Sequence, residues 1–396
     1  MTIIDALSEN FDKTPIVELG HAAKSHWMLE EDLTYLNHGA YGALPKATHQ
    51  AVTNAREYVE SQPARYFKEE QGESLRNSAA KLAQFVGARA DDIVFVDNAT
   101  TAANAVLRSL VLMPGDEVVT TNHAYGAILR TLEFICERAG ARIVFANIPF
   151  PLHDSSTVLG AVTRAMTRRT RLVVIDHITS MSALRLPVED IALECQERNI
   201  PVLVDGAHAV GVVDLDLDQL GVNWYAGNCH KWLGAPRGCG FLWTREENQR
   251  LLRPTTISHF IGDGYIAAFD WPGTKDFSNY VAVETAIDFR KRFGEKNIRK
   301  HCHDTIWAGM NILKDAWGTE LGASKSMTTY MGCVRYPGQV KGDQATADEL
   351  RRALRKNYQI EIDIKSINRK LWVRTCAYLY NELADFEKLA AAVKQQ

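Results

Sequence analysis

The amino-acid sequence predicts an α/β protein, with a large domain built on a mostly parallel central sheet and a smaller α/β domain at the C-terminus. The chain has 396 residues, more than one hydrophobic core usually serves, so two domains are expected. Strand-like apolar runs alternate with helical patterns through the middle of the chain, which is typical of βαβ units. That alternation stops near 255–280, where we expect the domain change.

The alternation can be followed element by element. The predicted strands are 92–96, 117–120, 142–146, 171–176 and 201–205. The helical patterns that follow the first four strands are 102–112, 126–139, 157–167 and 188–198. A strand followed by a helix and another strand favours parallel pairing.

The pattern breaks in the stretch ISHFIGDGYIAAFDWPGTKD, which is rich in glycine, proline and aromatic residues. A long helical segment at 281–317 and a mixed α/β tail follow it. We therefore predict a large domain at 31–275 and a small C-terminal domain at 276–396. Residues 1–30 are expected to form an N-terminal segment that packs on the small domain.

Composition excludes several function classes. Hydrophobic residues make up 46% of the chain and charged residues 23%, which is ordinary for a globular protein. A net charge of -3 and a pI near 6.5 argue against a nucleic-acid partner. No apolar run is long enough for a membrane span, and the N-terminus lacks a signal pattern. Seven scattered cysteines suggest reduced thiols, so a cytoplasmic location is expected.

One lysine stands in an unusual setting. The stretch WYAGNCHKWLGAPRGCGFLW places Lys231 among glycines and apolar residues, whereas lysines are usually exposed. Asp205 ends the strand-like run PVLVD, and ligands of α/β folds gather at the carboxyl ends of strands. An amine for a Schiff base and a carboxylate for a pyridine nitrogen suit pyridoxal 5'-phosphate. The alternative is that Asp205 caps a turn and Lys231 reaches solvent.

Six blocks extend over nearly the whole chain, namely YLNHGAYGALP, DNATTAAN, TTNHAYGA, VDGAHAVG, NCHKWLGAPRGCGFLW and VRTCAYLYN. Together they resemble the class V aminotransferase family, which has fold type I of pyridoxal-phosphate enzymes. More narrowly, they resemble its isopenicillin N epimerase-like branch. The resemblance implies a pyridoxal 5'-phosphate enzyme that acts on a small amino-acid substrate.

The resemblance assigns cofactor contacts position by position. Lys231 matches the lysine that forms the Schiff base, Asp205 the carboxylate on the pyridine nitrogen, and His208 the group near the phenolic oxygen. Phosphate contacts fall on residues near a helix N-terminus and on the lysine turn, namely Asn98, Ala99, Thr100, Asn228 and His230. Thr274 matches a loop residue that reaches the phosphate of a partner subunit, which implies a homodimer.

The resemblance also assigns the faces of the cleft. Either His123 or Tyr125 covers the ring, and Tyr125 is suited to moving a proton. Ser180 is expected to touch the cofactor. Arg374, in an apolar strand, matches the residue that grips the substrate α-carboxylate, although an internal ion pair would explain it too. Asn37 and Tyr41 complete the expected substrate contacts.

The expected reaction begins with removal of the α-proton by Lys231, and the fate of the carbanion is open. Related desulfurases use a cysteine just before the arginine strand, and EIDIKSINRK has none. Similarity to hercynylcysteine sulfoxide lyases favours C–S β-elimination on a cysteine-derived sulfoxide, with epimerisation and transamination as alternatives. A protein that binds the cofactor without catalysis is a further alternative. HCHD at 301–304 is not expected to bind a metal, because residues two apart on a helix diverge.

Overall fold

The structure is a computed structural model that describes residues 2–8 and 11–395. The strands, in chain order, are β1 Thr34–Tyr35, β2 Ile93–Val96, β3 Glu117–Thr121, β4 Arg142–Ala146, β5 Thr170–Asp176, β6 Val202–Gly206, β7 Trp224–Asn228, β8 Gly240–Thr244, β9 Met331–Arg335, β10 Ile360–Glu361, β11 Asp363–Ile367 and β12 Lys370–Cys376.

The α-helices connect and cover these strands. They are α1 Ile3–Ser8, α2 His38–Tyr41, α3 Lys46–Ser61, α4 Pro63–Arg65, α5 Gln71–Val86, α6 Ala99–Ser109, α7 Gly126–Ala139, α8 Ser156–Ala165, α9 Val188–Glu197, α10 Glu246–Gln249, α11 Tyr265–Asp270, α12 Ser278–Val281, α13 Val283–Phe293, α14 Glu295–Trp317, α15 Gln344–Tyr358 and α16 Leu383–Lys394. Short 3-10 segments lie at Gly20–His26, Ala90–Asp92 and Lys325–Met327, and a π-helical turn, Tyr66–Glu70, joins α4 to α5.

The central sheet has seven strands in the order β2-β8-β7-β6-β5-β3-β4. The pairs from β4 through β7 are parallel, whereas β8 is antiparallel to both β7 and β2. The predicted α/β class with a mostly parallel central sheet is therefore confirmed. Parallel strands place their carboxyl ends at one edge of the sheet, and this edge holds the site described below.

Apolar side chains cover both faces of this sheet. Successive residues of β2 show the alternation, because Ile93 and Phe95 belong to one core cluster and Val94 and Val96 to another. Burial on both faces explains why the inner strands form uninterrupted apolar runs in the sequence, whereas β4, at one edge of the sheet, is partly exposed. The helices of the βαβ units supply the covering layers.

A second sheet has three antiparallel strands in the order β11-β12-β9. Near the N-terminus, β1 pairs with β10, and the Gly20 N–H donates to the Leu379 carbonyl at 2.8 Å. The proposed domain division at 275 and 276 lies between the central sheet and this smaller one, and it stays a prediction. None of the helices within 2–8 and 11–395 combines the length and apolar character that crossing a membrane requires.

The structure differs from the sequence prediction in two places. β7 and β8 were not predicted as strands, because the stretch from Trp224 to Trp243 was interpreted as one apolar, glycine-rich turn around Lys231. The helical segment predicted at 281–317 is two helices, α13 and α14, separated by Gly294 at φ 79°. Glycine adopts this conformation at no steric cost, so it ends α13 cleanly.

Candidate active site

A cleft of about 540 Å³ lies at the carboxyl edge of the central sheet. Asp176 ends β5 and Asp205 lies near the end of β6, and the two are direct neighbours across the parallel pair. The cleft brings together most of the residues predicted from the sequence, which are Tyr41, Asn98, Ala99, Thr100, Tyr125, Ser180, Asp205, His208, Asn228, His230 and Lys231. Its volume is in the range of small-molecule sites in proteins.

The turn that carries Lys231 connects two antiparallel strands, β7 and β8. It is closed by Cys229, whose N–H donates to the Cys239 carbonyl at 3.0 Å. His38 is buried and stacks on Tyr378, with the ring centroids 3.8 Å apart. Its Nε2 is 3.1 Å from the Lys231 carbonyl, and this hydrogen bond holds the turn in place. Arg290 donates to the Trp232 carbonyl at 2.6 Å. These contacts fix the backbone of the turn while its lysine side chain stays free to reach into the cleft.

The Lys231 amine lies in a setting that favours its neutral form. Its Nζ is 3.0 Å from His208 Nε2. Burial lowers the pKa of Lys231 to about 8, and Asp205 opposes this shift because its negative charge favours the ammonium form. A neutral amine is both a nucleophile and a base, so Lys231 is suited to either role.

Two buried carboxyl groups accompany this lysine. Burial raises the pKa of Asp205, although its Oδ1 accepts the Ala207 N–H at 3.0 Å. Burial raises the pKa of Asp176 well above its usual range, and the neighbouring Asp205 carboxylate raises it further. Asp176 was not predicted as a site residue. The signal was present, because RLVVID ends in aspartate as PVLVD does.

The N-terminus of α6 forms the end of the cleft expected to hold a phosphate. Asn98 caps the helix, since its Oδ1 accepts the Thr101 N–H at 3.0 Å. The Ala99 N–H donates to Asn228 Oδ1 at 2.8 Å, so the expectation that this N–H faces an anion is not met. Thr100 lines the cleft, and His230 lies there with Nδ1 2.9 Å from the Cys239 carbonyl. Burial lowers the pKa of His230 to about 4.

His123 and Tyr125, which the sequence could not separate, occupy different positions. Tyr125 precedes α7, lines the cleft and is 45% exposed. His123 is buried, with Nδ1 2.7 Å from Ser182 Oγ and Nε2 3.1 Å from the Ile148 carbonyl. Both ring nitrogens of His123 therefore bond to the protein, and of the two residues Tyr125 is the one that lines the cleft. Which of them covers the ring stays a prediction.

Arg374 reaches toward the cleft from β12. One of its terminal nitrogens donates to the Ser180 carbonyl at 2.6 Å, and the other to Asn37 Oδ1 at 3.1 Å. Asp363, its direct partner on β11, forms an ion pair with it at 2.9 Å. The sequence offered either an anion clamp or an internal ion pair, and the structure shows the ion pair. Asn37 does not line the cleft and bonds to Arg374 instead.

Thr274 lies outside the cleft of its own chain. It lines a separate cavity that shares only Asp97 and Thr101 with the cleft. Asp97, Thr101 and Arg237 line the cleft as well, and none of them was predicted from the sequence as a site residue. Asp97 accepts hydrogen bonds from Lys275 and from the Tyr280 hydroxyl, which ties the cavity wall to the start of α6.

The residues present fit pyridoxal 5'-phosphate. Among the buried side-chain nitrogens of the described residues that have no hydrogen-bond partner, His208 Nδ1 belongs to a residue that lines the cleft, and Arg374 Nε belongs to a residue bonded to the lining residue Ser180. Buried polar atoms are rarely left unpaired without a reason, so each is a candidate for contact with a bound group. One cleft contains a group suited to each part of the cofactor. The amine of Lys231 suits the aldehyde, the buried carboxylate of Asp205 suits the pyridine nitrogen, and the N-terminus of α6 suits the phosphate.

Comparison with known proteins agrees with this geometry. A family model described as Aminotransferase class-V matches residues 34–362. A putative L-cysteine desulfhydrase 1 from Oryza sativa subsp. japonica is 31% identical, over 92% of this chain and 83% of the relative. An isopenicillin N epimerase from Streptomyces clavuligerus is 29% identical, over 94% of this chain and 96% of the relative.

A solved structure has the same fold. It is a complex between the cystine C-S lyase C-DES and its reaction product cysteine persulfide, with a TM-score of 0.78 and 20% identity. The match covers 91% of this chain and 97% of that one. At this identity the likeness supports the shared architecture, and the side chains of the cleft must be argued from this chain alone.

Proposed function

Because the chain belongs to the class V aminotransferase family, we propose that this pyridoxal-phosphate-dependent enzyme is a C–S lyase acting on a cysteine-derived amino acid. The observation that carries the proposal is the content of the cleft. It holds a half-buried amine of lowered pKa, Lys231, and beside it lies an arginine able to take a carboxylate, Arg374, which donates to the carbonyl of the lining residue Ser180. It has no cysteine thiol in its lining to take up sulfur.

Each part of the cofactor has residues suited to hold it. When bound, pyridoxal phosphate supplies an aldehyde that takes up the substrate amine and a ring that accepts the electron pair left at Cα. Asp205 would face the ring nitrogen, and Tyr125 would cover the ring. Thr100 and His230 would bind the phosphate, and Lys231 would hold the aldehyde until substrate arrives.

The chain's own residues then act on the substrate. The Arg374 guanidinium binds the α-carboxylate and so fixes which Cα bond faces the ring. The freed Lys231 Nζ takes the proton from Cα, while the Cβ–S bond breaks and sulfur leaves with its electron pair. The released enamine hydrolyses to pyruvate and ammonia. His208, 3.0 Å from Nζ, is placed to exchange a proton with the lysine.

Sulfur transfer to the protein is not supported. The seven cysteines are all buried, and the segment at 361–370, just before the Arg374 strand, contains none. Burial raises the pKa of Cys376 to about 11, which disfavours the reactive thiolate. The sulfur group is therefore released with the products and is not kept on the protein. This agrees with the relatives that are named L-cysteine desulfhydrases. A sulfoxide substrate is the narrower form of this proposal.

Epimerisation is the second candidate, favoured by one observation. The Tyr125 hydroxyl gives the cleft a second proton carrier besides Lys231, and returning a proton to the opposite face of Cα requires such a group. We also propose that the active enzyme is a homodimer. Thr274, which lies outside its own cleft, would complete the phosphate site of the partner subunit.

Product analysis of the holoenzyme tests these alternatives. We expect pyruvate together with sulfide from L-cysteine, a thiol from S-alkyl-L-cysteines or a sulfenate from their sulfoxides. We expect none from Lys231→Ala, which should also lack the visible absorbance that borohydride reduction abolishes. Lys300→Ala, on the surface of α14, is the matched control and should retain both. Deuterium exchange at Cα with formation of the D-amino acid and no keto acid would favour the epimerase. Stoichiometric pyridoxamine phosphate would favour transamination.

A further inference from the structure

His38 is a fully buried histidine whose contacts fix the position of its ring proton. Its Nε2 is 3.1 Å from the Lys231 carbonyl oxygen, which can only accept a hydrogen bond. Its Nδ1 is 3.4 Å from the backbone nitrogen of Ala43, whose N–H can only donate. His38 must therefore carry its proton on Nε2 and keep a lone pair on Nδ1.

This tautomer gives a direction to the contact between His38 and Tyr380. The Tyr380 hydroxyl oxygen is 2.7 Å from Nδ1, and because Nδ1 is the acceptor, the hydroxyl is the donor. The hydrogen bonds therefore run one way, from Tyr380 through a neutral imidazole to the Lys231 carbonyl. Burial lowers the pKa of His38 to about 3, which agrees with a neutral ring.

The partners of His38 belong to the two parts of the chain that the proposed reaction uses. Lys231 is the amine, and Tyr380 follows β12, the strand that carries Arg374. The residue before His38 also contacts this strand, because Asn37 Oδ1 accepts a hydrogen bond from Arg374 at 3.1 Å. One buried side chain thus connects the lysine turn with the strand of the substrate-binding arginine.

The backbone after His38 lies directly against the lysine turn. A Cβ atom at Gly42, where φ is 67°, would collide with the His230 carbonyl oxygen. Arg237, from the same turn, donates to the Gly42 carbonyl at 3.1 Å. A displacement of His38 would therefore be passed on to the backbone at Lys231, because these two segments have no space between them.

We propose that His38 is a positioning residue for Lys231. Its Nε2–H holds the Lys231 backbone at a fixed place relative to the strand of Arg374, and so sets where Nζ stands when Arg374 holds the substrate carboxylate. The assignment rests on the proposed function, in which Lys231 takes the Cα proton. What position 38 must supply is a donor at the place of Nε2, and the aromatic ring is not itself required.

Two amide variants, His38→Gln and His38→Asn, separate the donor from the ring. Both lose the stacking on Tyr378, so both should lower the thermal midpoint by similar amounts. Glutamine can place an N–H near the position of Nε2, whereas asparagine is one methylene shorter and reaches only the position of Nδ1. The rate at which the apoenzyme captures pyridoxal phosphate and steady-state kcat and KM are measured for each.

We expect His38→Gln to stay within about 3-fold of the wild type in capture rate and in kcat. His38→Asn should be about 10-fold lower in both, as loss of one buried hydrogen bond predicts, with KM changed less. Tyr380→Phe keeps the aromatic ring but removes the donor to Nδ1, and it should lower the capture rate about 3-fold.

Nitrogen-15 NMR of the histidine-labelled apoenzyme measures the tautomer without any turnover. We expect a histidine with its proton on Nε2, whose signal is absent in His38→Gln and whose Nδ1 signal shifts in Tyr380→Phe. A proton on Nδ1 would remove the donor to the Lys231 carbonyl and overturn the assignment.

Equal capture rates and equal kcat for the two amide variants would also overturn it, because the imidazole would then only fill space. If either amide variant does not fold, Tyr380→Phe replaces the pair, and a capture rate equal to that of the wild type is then the contradicting result. A wild-type protein that develops no visible band with pyridoxal phosphate would instead overturn the proposed function. The tautomer is read on the apoenzyme, so the two failures are distinguishable.

Discussion

The central sheet places charged side chains in the lining of the cleft, and the three-stranded sheet places one beside it, but the two sheets surround those charges differently. At the edge of the central sheet, Asp176 and Asp205 are buried and Lys231 is half-buried, and burial is the largest cause of the pKa shift of each. On the three-stranded sheet, Arg374 is held by an ion pair with Asp363 and by hydrogen bonds to Asn37 and Ser180.

This difference follows from the two tasks of the cleft. A group that must gain and lose protons near neutral pH needs a pKa shifted toward that range, and desolvation of Lys231 provides the shift. A group that must hold a carboxylate in one orientation needs a fixed geometry and a permanent charge, which the guanidinium of Arg374 provides. In the proposed reaction, proton transfer and substrate binding are thus separated onto two sheets.

The pH dependence of cofactor capture is the largest expected effect and tests the central-sheet side of the comparison. With the pKa of Lys231 lowered to about 8, its free-amine fraction falls as the pH drops below that value. The rate at which the apoenzyme captures pyridoxal phosphate should fall about 50-fold from about pH 8 to about pH 6. It should level off above about pH 9.

Free lysine in solution is the reference for that measurement, because its amine keeps an ordinary pKa. Its rate should continue to rise above pH 9 under the same conditions. An apoenzyme whose capture rate rises in parallel with that of free lysine would show that the buried setting does not lower the pKa of Lys231.

Arg374→Lys tests the other sheet and should have the next largest effect. Lysine keeps the charge but cannot offer two parallel donors to a carboxylate, so kcat/KM should fall about 10- to 30-fold, mostly through KM. Arg335→Lys is the matched control, since Arg335 lies on the neighbouring strand β9 and pairs with Glu320 near the surface. Steady-state kinetics should show little change for the control. A fall in kcat alone for Arg374→Lys would contradict a binding role.

Asp363→Asn sharpens the same comparison with the smallest effect. Asparagine keeps an acceptor for Arg374 but removes the negative charge that competes with the substrate carboxylate. We therefore expect KM to fall about 2- to 3-fold with kcat unchanged, because the retained hydrogen bond keeps this buried guanidinium in place while the competing charge is gone. A rise in KM would mean that the ion pair positions Arg374 more than it neutralises it.

Sequence patterns predicted five strands of the central sheet to within about one residue, because each forms a local apolar run; burial on both faces accounts for this run in the inner strands, whereas β4 at the edge is partly exposed. Sequence patterns did not predict β7 and β8, because the glycine and histidine residues near them interrupt the apolar runs. Asp176 ends β5 and Asp205 lies one residue before the end of β6, yet only Asp205 was selected. It was chosen as the strand-end carboxylate to act with Lys231, and the block that resembles a known family then supported it. His123 was retained although it faces Ser182, because a motif does not show which way a side chain turns.

The sequence by itself determined the order of elements, the apolar turn around Lys231 and the family, since each depends on neighbours along the chain. Tertiary structure alone decided which distant residues share the cleft. The pairing of β5 with β6 sets Asp176 beside Asp205, and the pairing of β11 with β12 sets Asp363 on Arg374. The physical reason is that charge, burial and proton affinity depend on neighbours in space, which strand order and register fix across long separations in sequence.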